Sequence, residues 1–134
     1  MLTPLRRVTV AAAFPYGFTL AIWGSSTVAA NALGRPTTAE VLLFIAGAVV
    51  GFVGLEVIAH RGWRANRADP FAPAIWVHAH VLSAGGAVLA VAGIAELPLG
   101  VVRWSLAGLT AAATYLLITA AAVAVADHRD ADRR

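Results

Sequence analysis

The residues best suited to chemistry are few and cluster along the chain. Glu56 and His60 stand four residues apart, and His78 and His80 follow across an arginine-bearing stretch. An i, i+4 spacing places Glu56 and His60 on one helix face, about one turn apart. His78 and His80 are two residues apart and point about 200° away from each other on a helix, so one of them, His78, is taken into the candidate site. Three chemistries suit Glu56, His60 and His78. The carboxylate can be an interfacial ion pair, held by Arg61 or a histidine. It can form a proton-responsive site with a histidine that titrates near neutral pH. Less favoured, the three can ligate a metal such as zinc; the expectation is no metal and no cofactor. A di-carboxylate centre lacks its second acid, and no His lies near mid-span to ligate a buried haem.

Other catalytic constellations are missing from the sequence. The chain has no Cys, and its ten basic residues are all Arg, so thiolate chemistry and a phosphate loop closed by Lys are excluded. The serines have no His–acid set in a recognisable order. The sequence therefore points away from an enzyme.

A second polar feature is the run Trp23-Gly24-Ser25-Ser26-Thr27. Ser25, Ser26 and Thr27 could line a polar path if they faced a bundle centre. They can equally bond to a carbonyl one turn back and need no partner.

The elements that carry these residues follow from the charge gaps. Apolar residues make up 60% of the 134 residues and charged ones only 13%, well outside the range of soluble domains. Residues 8–34, 70–95 and 104–126 hold no charge over 27, 26 and 23 positions. About 20 residues of helix cross a hydrocarbon core. A fourth gap, residues 41–55, extends at both ends: Thr37 and Glu40 read as an N-cap and its capping-box partner. Apolar runs without alternation exclude barrel strands.

The expected fold is therefore an all-α membrane protein with four transmembrane helices, at about 9–32, 38–60, 72–95 and 101–126. They form one domain over residues 1–134, with a short polar tail at 127–134. Connections at 33–37 and 96–100 are short, the second with Pro98 and Gly100 as breakers, which predicts two antiparallel hairpins in a four-helix bundle. Pro15 predicts a kink in the first helix.

Eight Arg (Arg6, Arg7, Arg61, Arg64, Arg67, Arg129, Arg133, Arg134) fall on one side of this four-span arrangement, and Arg35 and Arg103 on the other. That asymmetry predicts a multi-pass protein of the inner (plasma) membrane with both termini cytoplasmic. The Arg residues thus set topology and do not form a nucleic-acid patch. The Arg pair and Ala30-Asn31-Ala32 resemble a signal peptide, but the apolar stretch is too long and is broken by Pro15 and Gly17.

Small residues mark where helices touch, because packing rather than hydrophobicity joins helices in lipid. Gly47, Gly51 and Gly54 make one stripe. Ser83, Gly86, Ala90 and Gly93 make another, and Gly108 and Ala112 sit together on the last helix. The helix-packing interface is expected at Gly47, Gly51, Gly54, Gly86 and Gly93. These stripes and minimal loops point to a non-enzymatic accessory, assembly or oligomeric component. Its partners would be the lipid bilayer and a second copy or another membrane subunit. The alternative is a small oligomeric channel or transporter with Glu56, His60 and His78 at its cytoplasmic mouth.

Overall fold

In the computed structural model the backbone is described for residues 2–62 and 73–131. Side chains are described from Pro15 to Ile58, from Ala79 to Val125, and at His128. Four helices follow in order: α1 (Leu2–Leu33), α2 (Thr38–Gly62), α3 (Pro73–Ala95) and α4 (Val102–Ala131). The described residues contain no strand. Two stretches, Thr38–Ile58 and Val102–Val125, are long and apolar enough to cross a membrane, and Ala79–Ala95 is a shorter apolar helix.

Local chemistry explains the helix ends. Gly34 adopts φ 92° and its N–H donates to Ala30 O at 3.0 Å, a left-handed cap that stops α1. The Glu40 carboxylate accepts from Thr37 N at 2.7 Å, and Thr37 Oγ1 accepts from Glu40 N at 3.3 Å. This is the reciprocal capping box expected at the start of α2. Pro73 opens α3, where its missing N–H costs nothing. Gly100, at φ 57°, makes the turn into α4, and its carbonyl accepts from Arg103 N and Arg103 Nε.

Two helices run past their expected limits. α1 starts at Leu2 because Pro4 lies in its first turn, where proline is tolerated. α4 continues to Ala131, so residues 127–131 of the expected tail are helical. No Gly or Pro follows Gly108 to stop the helix. α1 is continuous through Pro15, and Thr19 Oγ1 donates to the Pro15 carbonyl at 2.7 Å.

The packing departs from two adjacent hairpins. α3 does turn back against α4. α1 packs on both α3 and α4, making a three-helix core, while α2 lies outside it against α4. α1 and α3 run in the same direction, with Gly17 against His80 and Gly24 against Val88. α2 and α4 are also parallel, with Gly47 against Ser105 and Gly51 against Leu109 and Ala112. The expected α1–α2 hairpin is therefore not a close backbone pair. Its helices meet through large side chains: Phe18 and Phe52 stand edge to face at 5.7 Å, and Phe44 fills the space toward Ala29 and Ala107. Glycines at α2–α4 let backbones touch, and phenylalanines at α1–α2 hold them apart.

The core is built from residues at every fourth position, mostly small: Gly17, Ala21, Ser25 and Ala29 on α1; Ser83, Ala87, Val91 and Ala95 on α3; Ala107, Ala111, Thr119 and the large Tyr115 on α4. Large aliphatic and aromatic side chains lie outside, among them Leu89 at 74% exposure, Trp23 at 68% and Ile58 at 66%.

Candidate functional site

The expected residues do not come together as one described site. His60 and His78 lie on α2 and α3, but their side chains are outside the described residues, so the Glu56–His60–His78 group is described only at Glu56. Among the described residues, no three His, Asp or Glu gather in a metal-holding group.

Glu56 is exposed on α2, at a groove between α2 and α4. Past Gly51 the two helices separate, and no described atom of another element lies within 4 Å of where a side chain on Gly54 would begin. The gap is an open groove of about 400 Å³, lined by Phe52, Leu55, Glu56, Ile58, Leu116, Leu117 and Ala120. Every lining residue except Glu56 is apolar.

The three hydroxyl residues of the Ser25–Thr27 run face different ways. Ser25 is buried on the core face, and its Oγ has no hydrogen-bond partner among the described residues. Ser26 Oγ and Thr27 Oγ1 both donate to the Trp23 carbonyl, at 2.8 and 2.9 Å. Their protons are thus spent within the helix, and the three side chains form no shared polar wall.

Of the expected packing glycines, Gly47 and Gly51 lie directly on α4. A methyl group at Gly47 would overlap the Ser105 carbonyl, and one at Gly51 would stand 2.8 Å from Leu109 O. Gly108 is their counterpart, where a methyl would overlap Phe44 O. Gly86 lies beneath the Ile118 side chain. Gly54 and Gly93 have no described neighbour from another element within 4 Å.

A polar cluster that the sequence reading did not single out lies between α3 and α4. His80 is buried, and its Nδ1 lies 2.7 Å from Tyr115 Oη, with the two rings nearly parallel. A methyl at Gly17 would stand 2.6 Å from Tyr115 Oη and 3.2 Å from His80 Cβ, so α1 offers the pair a flat seat. Phe18 packs edge-on against Tyr115 at 5.5 Å.

One turn further along, Ser83 Oγ and Thr119 Oγ1 are 2.8 Å apart. Ser83 Oγ also lies 2.7 Å from Ala79 O, and Thr119 Oγ1 lies 2.8 Å from Tyr115 O. Each hydroxyl carries one proton. Two protons therefore serve three short contacts, and the hydroxyl–hydroxyl bond forms only when one carbonyl gives up its donor. Chemically, the cluster can tether α3 to α4 through polar contacts in an apolar setting. The signal that could have found it was the Tyr115–Thr119 spacing on α4, which matches the fourfold small-residue ridge.

The chain matches no protein-family model, no curated protein and no solved structure.

Proposed function

We propose that the chain is a four-span integral membrane protein of the inner membrane, both termini cytoplasmic, that works without catalysis through helix–helix contacts in a larger assembly. One observation carries the membrane part of this reading: the distribution of residues is inverted relative to a soluble domain. Ala, Gly and Ser make up most of the interior, around Phe44, Val91, Trp104 and Tyr115, while many Leu, Val and Ile side chains and Trp23 lie on the outside. Water would penalise so continuous an apolar surface, whereas lipid makes it neutral and leaves close packing of small residues to hold the helices. Exposed residues Val41, Leu42, Ile45, Val49, Val50, Val53 and Val57 cover about half of the circumference of α2. This peripheral helix is the surface on which a further transmembrane segment would pack.

The absence of native Cys makes the test simple. A single-cysteine variant, Val50→Cys, is oxidatively cross-linked in native membranes. A discrete disulfide-linked dimer, or a reproducible adduct with one partner, supports the assembly reading. A monomer at every oxidant concentration counts against it for this face.

A second reading, a small channel or transporter, is favoured by one observation. Glu56 lines a groove whose other walls are apolar. It predicts that Glu56→Gln alters solute flux, or its pH dependence, in proteoliposomes.

A further inference from the structure

We infer that the outward face of α1 is the seam of a homodimer, packed parallel against α1 of a second copy, with each Trp23 indole N–H donating to a hydroxyl of the other chain. The inference rests on the membrane assembly proposed above and names its partner.

The faces turned away from the core are not alike. α3 and α4 turn aliphatic side chains outward, Val81, Leu82 and Leu89 on one and Leu117 and Val125 on the other. Acyl chains suit such faces. α1 turns out Tyr16, Thr19, Leu20, Trp23 and Thr27, with Ser26 half-buried beside them. Their spacing repeats after seven residues: Tyr16 and Trp23, Thr19 and Ser26, Leu20 and Thr27. A seven-residue repeat is the seam of two parallel helices.

Depth makes Trp23 the decisive residue. It stands ten residues before the end of α1 at Leu33, and its neighbour Gly24 meets Val88, seven residues before the end of α3. At 1.5 Å per residue Trp23 lies about 10–15 Å inside the outer end, near the middle of a hydrocarbon core about 30 Å thick. Tryptophan favours the interface, where its N–H is wetted. Here the side chain is 68% exposed, and its N–H has no acceptor among the described residues. Lipid tails offer none, and an unmade hydrogen bond in an apolar medium is costly.

The same face supplies the acceptor. Thr19 Oγ1, Ser26 Oγ and Thr27 Oγ1 each donate their proton to a carbonyl of α1, which leaves their oxygens able to accept. Knobs-into-holes packing seats a Trp23 ring between the positions four before and three after it on the facing helix. Those positions are Thr19 and Ser26. Donor and acceptors thus share one face and one depth, and a two-fold axis along the membrane normal satisfies both indoles at once. A face of donors alone would need a different protein.

The test measures energy transfer between copies of the purified chain, labelled at Asp130→Cys, in phosphatidylcholine vesicles as the chain is diluted with lipid. The expected result is a saturable dimer. Trp23→Phe keeps a ring and removes the N–H, and it should weaken the dimer about eightfold, the loss of two symmetry-related hydrogen bonds of ordinary strength between membrane helices. Thr19→Val with Ser26→Ala removes the acceptors and should weaken it similarly. Combining the two sets should add little further, because they break the same bonds. Disulfide formation locates the seam: Leu20→Cys should cross-link and Leu89→Cys on α3 should not. Circular dichroism establishes that each variant is helical.

A chain that stays monomeric at every dilution overturns the inference. So does a dimer unchanged by Trp23→Phe or by the loss of both hydroxyls, or one that cross-links at Leu89→Cys and not at Leu20→Cys. A Leu20→Cys adduct with a different protein in native membranes, without a dimer in vesicles, gives the face to another subunit and overturns it too. None of these results touches assembly through α2 or the membrane placement, which Val50→Cys cross-linking and thiol labelling of the helices test separately.

Discussion

Gly47 and Gly108 set how closely α2 can approach α4, because each faces a carbonyl of the other helix. Backbone cannot move aside as a side-chain tip can. Gly47→Ala and Gly108→Ala should each cost about 1–3 kcal/mol, the usual penalty of overpacking. Gly54→Ala, with no such neighbour, should gain up to about 1 kcal/mol from helix propensity. Denaturant unfolding in micelles distinguishes the two classes. The buried serines give a second contrast. Ser25 Oγ has no partner among the described residues, so Ser25→Ala removes a buried polar group without breaking a bond. It should raise stability by about 1 kcal/mol. Ser83→Ala breaks the contact with Thr119 and should lower stability by about 0.6 kcal/mol, the mean for hydrogen bonds between helices in a membrane protein. The sequence marks Gly47 and Gly51 through their spacing and Glu56 through its isolation. It does not mark His80, because a His-x-His pair leaves open which ring turns inward. His80 lies against Gly17, far away in the chain, where a methyl group would crowd both His80 and Tyr115.

At the scale of elements, the positions of the helices are legible from charge gaps and caps, while their neighbours are not. Thr37, Glu40 and Gly100 act locally, so their types locate the starts of α2 and α4, whereas charge gaps missed the start of α1 and the end of α4. Adjacency depends on which surfaces fit across space. A short α1–α2 connection fixes only that two ends are near; it does not fix that the helices pack along their length. Phe18, Phe44 and Phe52 separate α1 from α2, and the glycines of α2 find Gly108 instead. This predicts that Phe52→Ala loosens α1–α2 and leaves α2–α4 intact. The expected cost is below the 3–5 kcal/mol of a fully buried Phe→Ala change, since Phe52 is only partly buried. Cysteine pairs across each interface, compared for disulfide yield before and after the change, would show a drop for α1–α2 only. An equal drop at both would mean that the phenylalanine contact, not the glycine contact, holds α2.

At the scale of the whole molecule, the inverted distribution of small and large residues is the property from which the functional readings follow. Composition announces an apolar chain, but only the fold shows that the ridge alanines of α1, α3 and α4 are inside while Leu20, Leu42, Leu82, Leu89 and Leu117 are outside, because those four-residue ridges need tertiary contact to be recognised. In a membrane, Leu89 and Val50, both exposed, would face acyl chains. Arg35 and Leu99 lie in the two short connections, on the side opposite Asp130. The direct test labels single-cysteine variants of these five positions with a membrane-impermeant maleimide, first in intact cells and then after lysis. Arg35→Cys and Leu99→Cys should react in intact cells, Asp130→Cys only after lysis, and Val50→Cys and Leu89→Cys in neither until detergent or denaturant is added. Rapid labelling of Val50→Cys and Leu89→Cys in lysed, detergent-free cells would place those faces in water and contradict the account.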